Sequence, residues 1–292
     1  MMSEKTEPFI PFGGAEVRPI SFAAADIVIL PLCYEQSVSY GRGSRMSPYH
    51  LLRASEQMEA LDEETFINWA AKAIHTLPPL FPSEKPEDAV REMKKAAARV
   101  LEQNKFLLSI GGDHAVSIGP VSAAGEIRPG IGVLQIDAHA DLRNEWNGSR
   151  FNHACVMRRI TEDAGLPAVQ VGIRSFSPEE AAYMREKRMR PFYAHEIEAG
   201  DDSWIGEVIC ALPEEVYITI DLDGLDPSVI PGTGTPEPGG LSYRQLIRLL
   251  RAVGSEKKVA AADICELIKI PGTRVSEYTA ARIAQKILVY CT

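Results

Sequence analysis

Six side chains of metal-binding type fall in three short clusters: His114; Asp137, His139 and Asp141; Asp221 and Asp223. Each cluster directly follows an apolar, strand-like run. Phe106–Ile110 precedes Gly111-Gly112-Asp113-His114, Ile131–Ile136 precedes Asp137-Ala138-His139-Ala140-Asp141, and Val216–Ile220 precedes Asp221-Leu222-Asp223-Gly224-Leu225-Asp226-Pro227. Alternate residues of an extended chain face the same side, so donors at i, i+2 and i+4 converge if the backbone stays extended past the strand end. Four carboxylates and two imidazoles do not suit one structural zinc, which favours cysteine and histidine. Packed without cations, four carboxylates repel one another and pay a heavy desolvation cost. Two divalent ions relieve this, with one or two carboxylates bridging, and oxygen-rich ligation suits Mn²⁺ better than Zn²⁺ or Cu²⁺. Two ions sharing a water lower its pKa toward neutrality and supply hydroxide. The chemistry implied is hydrolysis.

Taken singly, each motif has a plainer reading. A lone DxD usually caps a turn, GGDH can be a glycine turn with a satisfied histidine, and Asp226-Pro227 reads as a turn device. Three such clusters at three strand ends are much harder to assign to chance.

The elements that must position these donors alternate regularly. Strands are expected at 27–32, 106–110, 131–136, 168–173, 215–220 and 259–265. Helices are expected at 47–61, where Ser47-Pro48 supplies a start, and at 87–103, 116–127, 153–164, 177–188, 241–254 and 275–290. Residues 1–24 read as an irregular lead-in, and Pro78, Pro79, Pro82 and Pro86 punctuate a surface connection. Short apolar strands between helices predict an α/β fold with a mostly parallel sheet covered on both faces. Open sheets of this kind bind ligands at the carboxyl ends of their strands, where all three clusters lie. No linker or repeat divides the chain, so 1–292 reads as a single domain.

Composition narrows the functional classes. The 292 residues are 45% hydrophobic and 24% charged, with a formal charge of 31 − 40 = −9. That balance disfavours nucleic acid and anionic membrane as partners. It is compatible with a cationic substrate, although acidity often serves solubility alone. The five cysteines are widely spaced without a CxxC pair, which excludes a zinc ribbon or disulfide scaffold. Cys33 and Cys265 read as small core residues. The polar N-terminus carries no secretory pattern, and the apolar runs fall short of the roughly 20 residues a spanning helix needs. A cytoplasmic location is expected.

GGDHAVSIG (111–119), DAHADLR (137–143) and TIDLDGLDP (219–227) resemble, in order and spacing, the three metal-binding motifs of the ureohydrolase family, the arginases and agmatinases. The resemblance runs from Tyr40-Gly41 to the C-terminal helix. It implies a three-layer α-β-α fold with a binuclear manganese centre, two Mn²⁺ per subunit. One ion would be held by His114, Asp137, Asp141 and Asp221, the other by Asp137, His139, Asp221 and Asp223, with Asp137 and Asp221 bridging. Asp141 would also hold the hydroxide by hydrogen bond.

The resemblance extends to residues around the metals. His153 reads by itself as a histidine at a helix start; the family places a proton-shuttling histidine at the matching position, and an imidazole near pKa 6.5 suits that task. Glu266 closes an apolar strand, which is costly for an unpaired carboxylate; the family pairs it with the substrate guanidinium through a bidentate, charge-assisted contact. Arg174, in Gly172-Ile173-Arg174-Ser175, matches a motif near the substrate mouth. Glu237 lies in Thr233–Gly240, which resembles the agmatinase form of a family loop. The resemblance thus makes His153, Glu266, Arg174 and Glu237 substrate contacts. Gly41-Arg42-Gly43-Ser44-Arg45 lacks the lysine and spacing of a P-loop and reads as structural.

The implied reaction is hydrolysis of a guanidino compound to urea and an amine. Leu142–Arg150 lacks the Asn/Ser/Thr-rich stretch with which arginases grip an α-amino acid, and so resembles the agmatinase branch. Phe151–Arg159 and Ile270–Glu277 look like a prokaryotic subgroup acting on agmatine or aminopropyl-agmatine, and an acidic, open mouth would suit the longer cation. Many agmatinases have a proline just after the glutamate; here Leu267-Ile268-Lys269-Ile270 comes before Pro271. One alternative is hydrolysis of another guanidino or formimino acid, such as arginine, guanidinobutyrate or formiminoglutamate, for which Arg143 and Arg150 are the candidate carboxylate partners. Another is a non-catalytic relative kept for assembly, which a lost ligand would mark. The resemblance implies a homo-trimer or hexamer.

Overall fold

The computed structural model of the chain describes residues 9–197 and 201–292. Within the expected lead-in, residues 1–8 fall outside that range, and 9–24 form loops and two short 3₁₀ turns. Among the described residues eight strands form one sheet: β1 (Ile27–Pro31), β2 (Ile74–Thr76), β3 (Phe106–Ile110), β4 (Gly132–Ile136), β5 (Ala168–Ile173), β6 (Phe192–Tyr193), β7 (Glu215–Asp221) and β8 (Lys258–Cys265). Their order is β2-β1-β3-β8-β7-β4-β5-β6, and every pairing is parallel. Eight helices, again among the described residues, accompany them: α1 (Ser47–Ser55), α2 (Pro86–Leu101), α3 (Ile118–Ile127), α4 (Val156–Arg158), α5 (Pro178–Lys187), α6 (Ser203–Ala211), α7 (Tyr243–Glu256) and α8 (Val275–Tyr290).

The strands are buried on both faces, as near-continuous Val/Ile/Leu runs require. Ile27 and Ile29 of β1 join Leu108, Ile136, Ile218 and Ile220 against α1, α6, α7 and α8. Val28 and Leu30 join Leu107, Val133 and Tyr217 against α2, α3, α4 and α5. This is the expected three-layer α-β-α arrangement. In α7, Leu246, Leu249, Leu250 and Val253 keep one buried face, each contributing roughly 1.5–3 kcal/mol. Ser242 and Gln245 close its start with a reciprocal capping box.

Three elements carry too little pattern to be read beforehand. β2 and β6 have three and two residues, and the nine-residue α6 lies in a stretch left unassigned. α1 ends at Ser55 rather than near 61, because the Ser55 hydroxyl donates to the Leu52 carbonyl and accepts the Gly13 N–H. The helix expected at 153–164 is broken into a 3₁₀ turn (His153–Cys155), α4 and a π turn (Arg159–Asp163). No helix among the described residues is long and apolar enough to cross a membrane.

Candidate metal centre

β3, β8, β7 and β4 are consecutive in the middle of the sheet, and their carboxyl ends deliver all six predicted donors to one place. His114 opens a 3₁₀ turn just past β3, Asp137 follows β4, and Asp221 ends β7. Glycine permits two close approaches here. A Cβ on Gly112 would lie 1.8 Å from the Tyr34 carbonyl oxygen, and one on Gly224 would lie 2.7 Å from the Asp137 nitrogen.

His114 Nδ1 lies 2.9 Å from Asp141 Oδ2, 3.1 Å from Asp137 Oδ2 and 3.4 Å from Asp221 Oδ2. His139 Nδ1 lies 3.0 Å from Asp223 Oδ2 and 3.6 Å from Asp137 Oδ1. Asp137 thus gives one oxygen to each half of the cluster. The outer nitrogen of His114 is held separately: Nε2 stands 3.0 Å from Thr219 Oγ1, which donates to Asp263 Oδ1 at 2.7 Å, while the Tyr217 hydroxyl donates to Asp263 Oδ2. Such a support fixes the ring and aims Nδ1 at the three carboxylates, where it can serve as a ligand. That Nδ1 is buried and has no hydrogen-bond partner among the described residues. Ala138 N–H donates to Asp223, Asp223 N–H to Asp221, and Gln135 and the His139 N–H to Asp137.

Burial and the Asp137 charge push Asp141 up to about 7. Burial, Asp223 and Asp137 push Asp221 well above the carboxylate range. Burial pulls His139 down, but the Asp223 and Asp137 carboxylates outweigh it and raise the imidazole to about 12. These groups want positive charge among them. A divalent ion supplies it, and the orphaned Nδ1 with its three facing carboxylates fits such an ion. Among the described residues three donor groups qualify, His114–Asp137–Asp141, Asp137–His139–Asp223 and His114–Asp221–Cys265, the ligand atoms of each lying within 4.8 Å of one another.

Two residues here hold left-handed backbone conformations unusual for non-glycine residues: Asp141 (φ 52) and Glu266 (φ 64). Each costs of order 1–3 kcal/mol and persists where the surroundings impose it. For Asp141, the Leu142 N–H is pinned by Glu180, which also caps α5. For Glu266, its N–H donates to the Gly112 carbonyl and its Oε1 accepts the His114 N–H at 2.7 Å. Burial, then the Asp113 charge, pushes Glu266 well above the usual range. Among the described residues no basic side chain forms an ion pair with it.

A family model described as Arginase matches residues 25–290. The chain belongs to the arginase family. It is 40% identical to the N(1)-aminopropylagmatine ureohydrolase of Synechocystis sp., covering 92% of this chain and 90% of that one. It is 38% identical to the protein of the same name from Thermus thermophilus, covering 90% and 89%. The crystal structure of agmatine ureohydrolase of Thermoplasma volcanium superposes with a TM-score of 0.87 at 26% identity, covering 98% of this chain and 95% of that one. The chain is therefore an arginase-family hydrolase, and its clustered histidines and aspartates accord with that family's dependence on a binuclear metal site.

Around this arginase-family cluster lies a chamber lined by His114, His139, Asp141, His153, Asp221, Asp223 and Glu266, with 37–41, Gly234 and Thr235 as further wall. It opens past His139, Asp141, His153 and Thr235 into an outer chamber of about 230 Å³ walled by Arg143, Trp146, Ser175, Phe176 and Glu180. Residues 37–41, which share only Gly41 with the Gly41–Arg45 segment read above as structural, form part of the inner wall. Ser39 Oγ lies 2.9 Å from His153 Nε2, and Ser37 Oγ accepts the His153 N–H and bonds Asp113. Two hydroxyls facing a histidine far away in sequence leave no local signal. Burial, then His114 and His139, lower His153 to about 4, so it is a neutral imidazole rather than one poised near 6.5.

Two expected substrate contacts are placed elsewhere. Arg174 spends its guanidinium on carbonyls: NH2 on Asp223 and Glu237, both at 2.7 Å, NH1 on Gly172 and Nε on Pro238. It fastens the third motif to the 237–238 loop and lines neither chamber. Glu237 contributes its carbonyl to that fastening, and its side chain lines neither chamber. Arg150 pairs with Asp163. Asp226 is the turn device expected, accepting from Ser228, Gly239 and Gly240.

Proposed function

We propose that this chain releases urea from an agmatine-type guanidino compound, N(1)-aminopropylagmatine or agmatine, using two Mn²⁺ per subunit. The observation that carries this reading is the convergence of six predicted donors with Glu266 at one chamber. His114, Asp137, Asp141 and Asp221 would hold one ion and Asp137, His139, Asp221 and Asp223 the other, and the oxygen-rich set suits manganese. When bound, the ions activate a shared water as hydroxide. The names of the relatives that are 40% and 38% identical support the aminopropyl substrate.

The chain's own residues supply the rest. Glu266, anchored by the His114 N–H, presents its carboxylate to the guanidinium N–H groups. Asp141 receives a hydrogen bond from the attacking water. His153, neutral at rest, would accept the proton given up by the attacking water and hand it to the departing amine; its lowered basicity makes the first transfer the costly one and the second downhill. Ser37 and Ser39 hold the ring in place. We further propose one catalytic domain over 1–292, a cytoplasmic location, and a homo-trimer or hexamer, which sedimentation would test.

A second reading has one observation behind it. The mouth carries a cation beside its acids: Arg143 lines it together with Asp141 and Glu180, its guanidinium 4.0 Å from the centre of the Trp146 ring and without an ion pair among the described residues. A guanidino acid with a carboxylate tail would meet that cation. Urea release from aminopropylagmatine, agmatine, arginine and guanidinobutyrate, measured side by side on manganese-loaded protein, decides. Preference for guanidinobutyrate establishes the second reading, and no release from any of the four removes both.

A further inference from the structure

Cys265 ends β8 directly opposite Asp221 of β7 in the parallel register. Residues so paired project from the same face of a sheet. His114 arrives over them from the turn after β3. One donor atom each from His114, Asp221 and Cys265 lies within 4.8 Å of the others, and all three residues are buried. A second observation points to an ion here: the His114 side chain is 1% exposed, yet among the described residues its Nδ1 has no hydrogen-bond partner. The thiol lies 3.5 Å from the Ile220 carbonyl and also within reach of the His114 ring. The reading of Cys265 as a plain core residue accounts for its burial and not for this neighbourhood.

Nitrogen, oxygen and sulfur donors together form a softer set than the carboxylates of the centre. Thiolates select zinc-class ions over hard ones. Such ions take tetrahedral positions with metal–sulfur bonds of about 2.3 Å and metal–nitrogen bonds of about 2.0 Å, which put donors roughly 3.5 Å apart. Donors lying within 4.8 Å of one another need close by at most roughly 1.3 Å to reach that spacing.

We propose that Cys265, with His114 and Asp221, forms a site for a thiophilic divalent ion that competes with the oxygen-ligated ion of the metal centre. The inference rests on the metal-centre reading, because two of its three donors are shared. A hard ion leaves the thiol protonated on the Ile220 carbonyl. A zinc-class ion forms the metal–sulfur bond and releases the thiol proton to water, with no change of oxidation state. The two states exclude each other through His114 and Asp221, so thiophilic ions mis-load this centre.

The test uses the full chain titrated with Cd²⁺, followed by ultraviolet absorption and elemental analysis. The expected result is a sulfur-to-metal charge-transfer band that saturates at one ion per chain. Cys265→Val, with an apolar side chain of similar size, should lack the band and bind Cd²⁺ at least roughly tenfold more weakly. Cys265→Ser is a second variant should the first fail to fold, and Cys33→Val should keep the band. Two bound ions without any band in the parent chain, or a band that survives in Cys265→Ser, overturns the inference and leaves the metal centre standing. A chain that binds neither Mn²⁺ nor Cd²⁺ overturns both.

Discussion

Asp62, in the turn after α1, and Asp221, at the end of β7, are both buried carboxylates in acidic company, but they are neutralised differently. Asp62 sits with Glu63 and Glu64 around the ammonium of Lys286 on α8, and neither Asp62 nor Lys286 is exposed. The Tyr290 hydroxyl completes that network, accepting from Lys286 and donating to Glu64. Asp221 sits with Asp137, Asp141 and Asp223, and among the described residues only His114 and His139 pair with these four. The first cluster has its cation built in and ties α8 to a loop. The second has imidazoles that can act as ligands and no permanent cation. Net charge and aspartate count do not separate the two; the identity of the buried neighbour does.

The largest expected effect comes from breaking the second cluster. His139→Ala should bind one ion fewer and lose roughly 10³-fold in turnover, since a bound metal contributes several kcal/mol to transition-state stabilisation. Full metal content with parental urea release would contradict the ligand assignment. In the first cluster, Lys286→Met leaves Asp62 without its cation and should cost about 3–5 kcal/mol in denaturant unfolding, with Mn²⁺ affinity unchanged. Lys286→Met combined with Asp62→Leu should recover most of that loss; a double variant no better than the single would break the comparison.

Smaller effects sharpen it. Asp263→Asn weakens the Asp263–Thr219–His114 support and should lower Mn²⁺ affinity about 10–100-fold by calorimetric titration, without a matching fall in the stability of the metal-free chain. The smallest effect is with pH. Asp141, raised to about 7, must lose its proton to ligate, so Mn²⁺ affinity should climb as pH rises through about 7. Its folded pKa lies above the unfolded value of about 3.9, so its contribution to the metal-free fold is present at low pH and lost as pH rises through about 7. The thermal stabilisation given by Mn²⁺ should therefore grow between about pH 6 and pH 8. A gain that is flat or shrinks over that interval contradicts the protonation scheme.

Much of the fold and centre is legible in the chain. Apolar runs of five or more residues place six of the eight strands, and the donors just past three of them meet as expected, because strand period and strand-end position are local properties. Glu266 was legible as a costly carboxylate at a strand end. The stretches that failed are informative: β2 and β6 are too short to show a period, and the 153–164 helix breaks next to His153, which is held by Ser37 and Ser39 from far away in sequence. Arg174 and Glu237 were matched by motif, and motif spacing does not say whether a guanidinium meets substrate or backbone carbonyls.

By itself the sequence determined the donor types, their spacing, their placement at strand ends and membership of the arginase family. Only the tertiary structure decided that β8 lies between β3 and β7, bringing Glu266 and Cys265 beside His114 and Asp221. It alone set Ser39 against His153, turned Arg174 away from the chambers, and gave Asp62 a lysine 224 residues away. The physical reason is range. Backbone geometry and hydrophobic period act between near neighbours, whereas strand order and the pairing of buried charges are settled by which distant surfaces pack together.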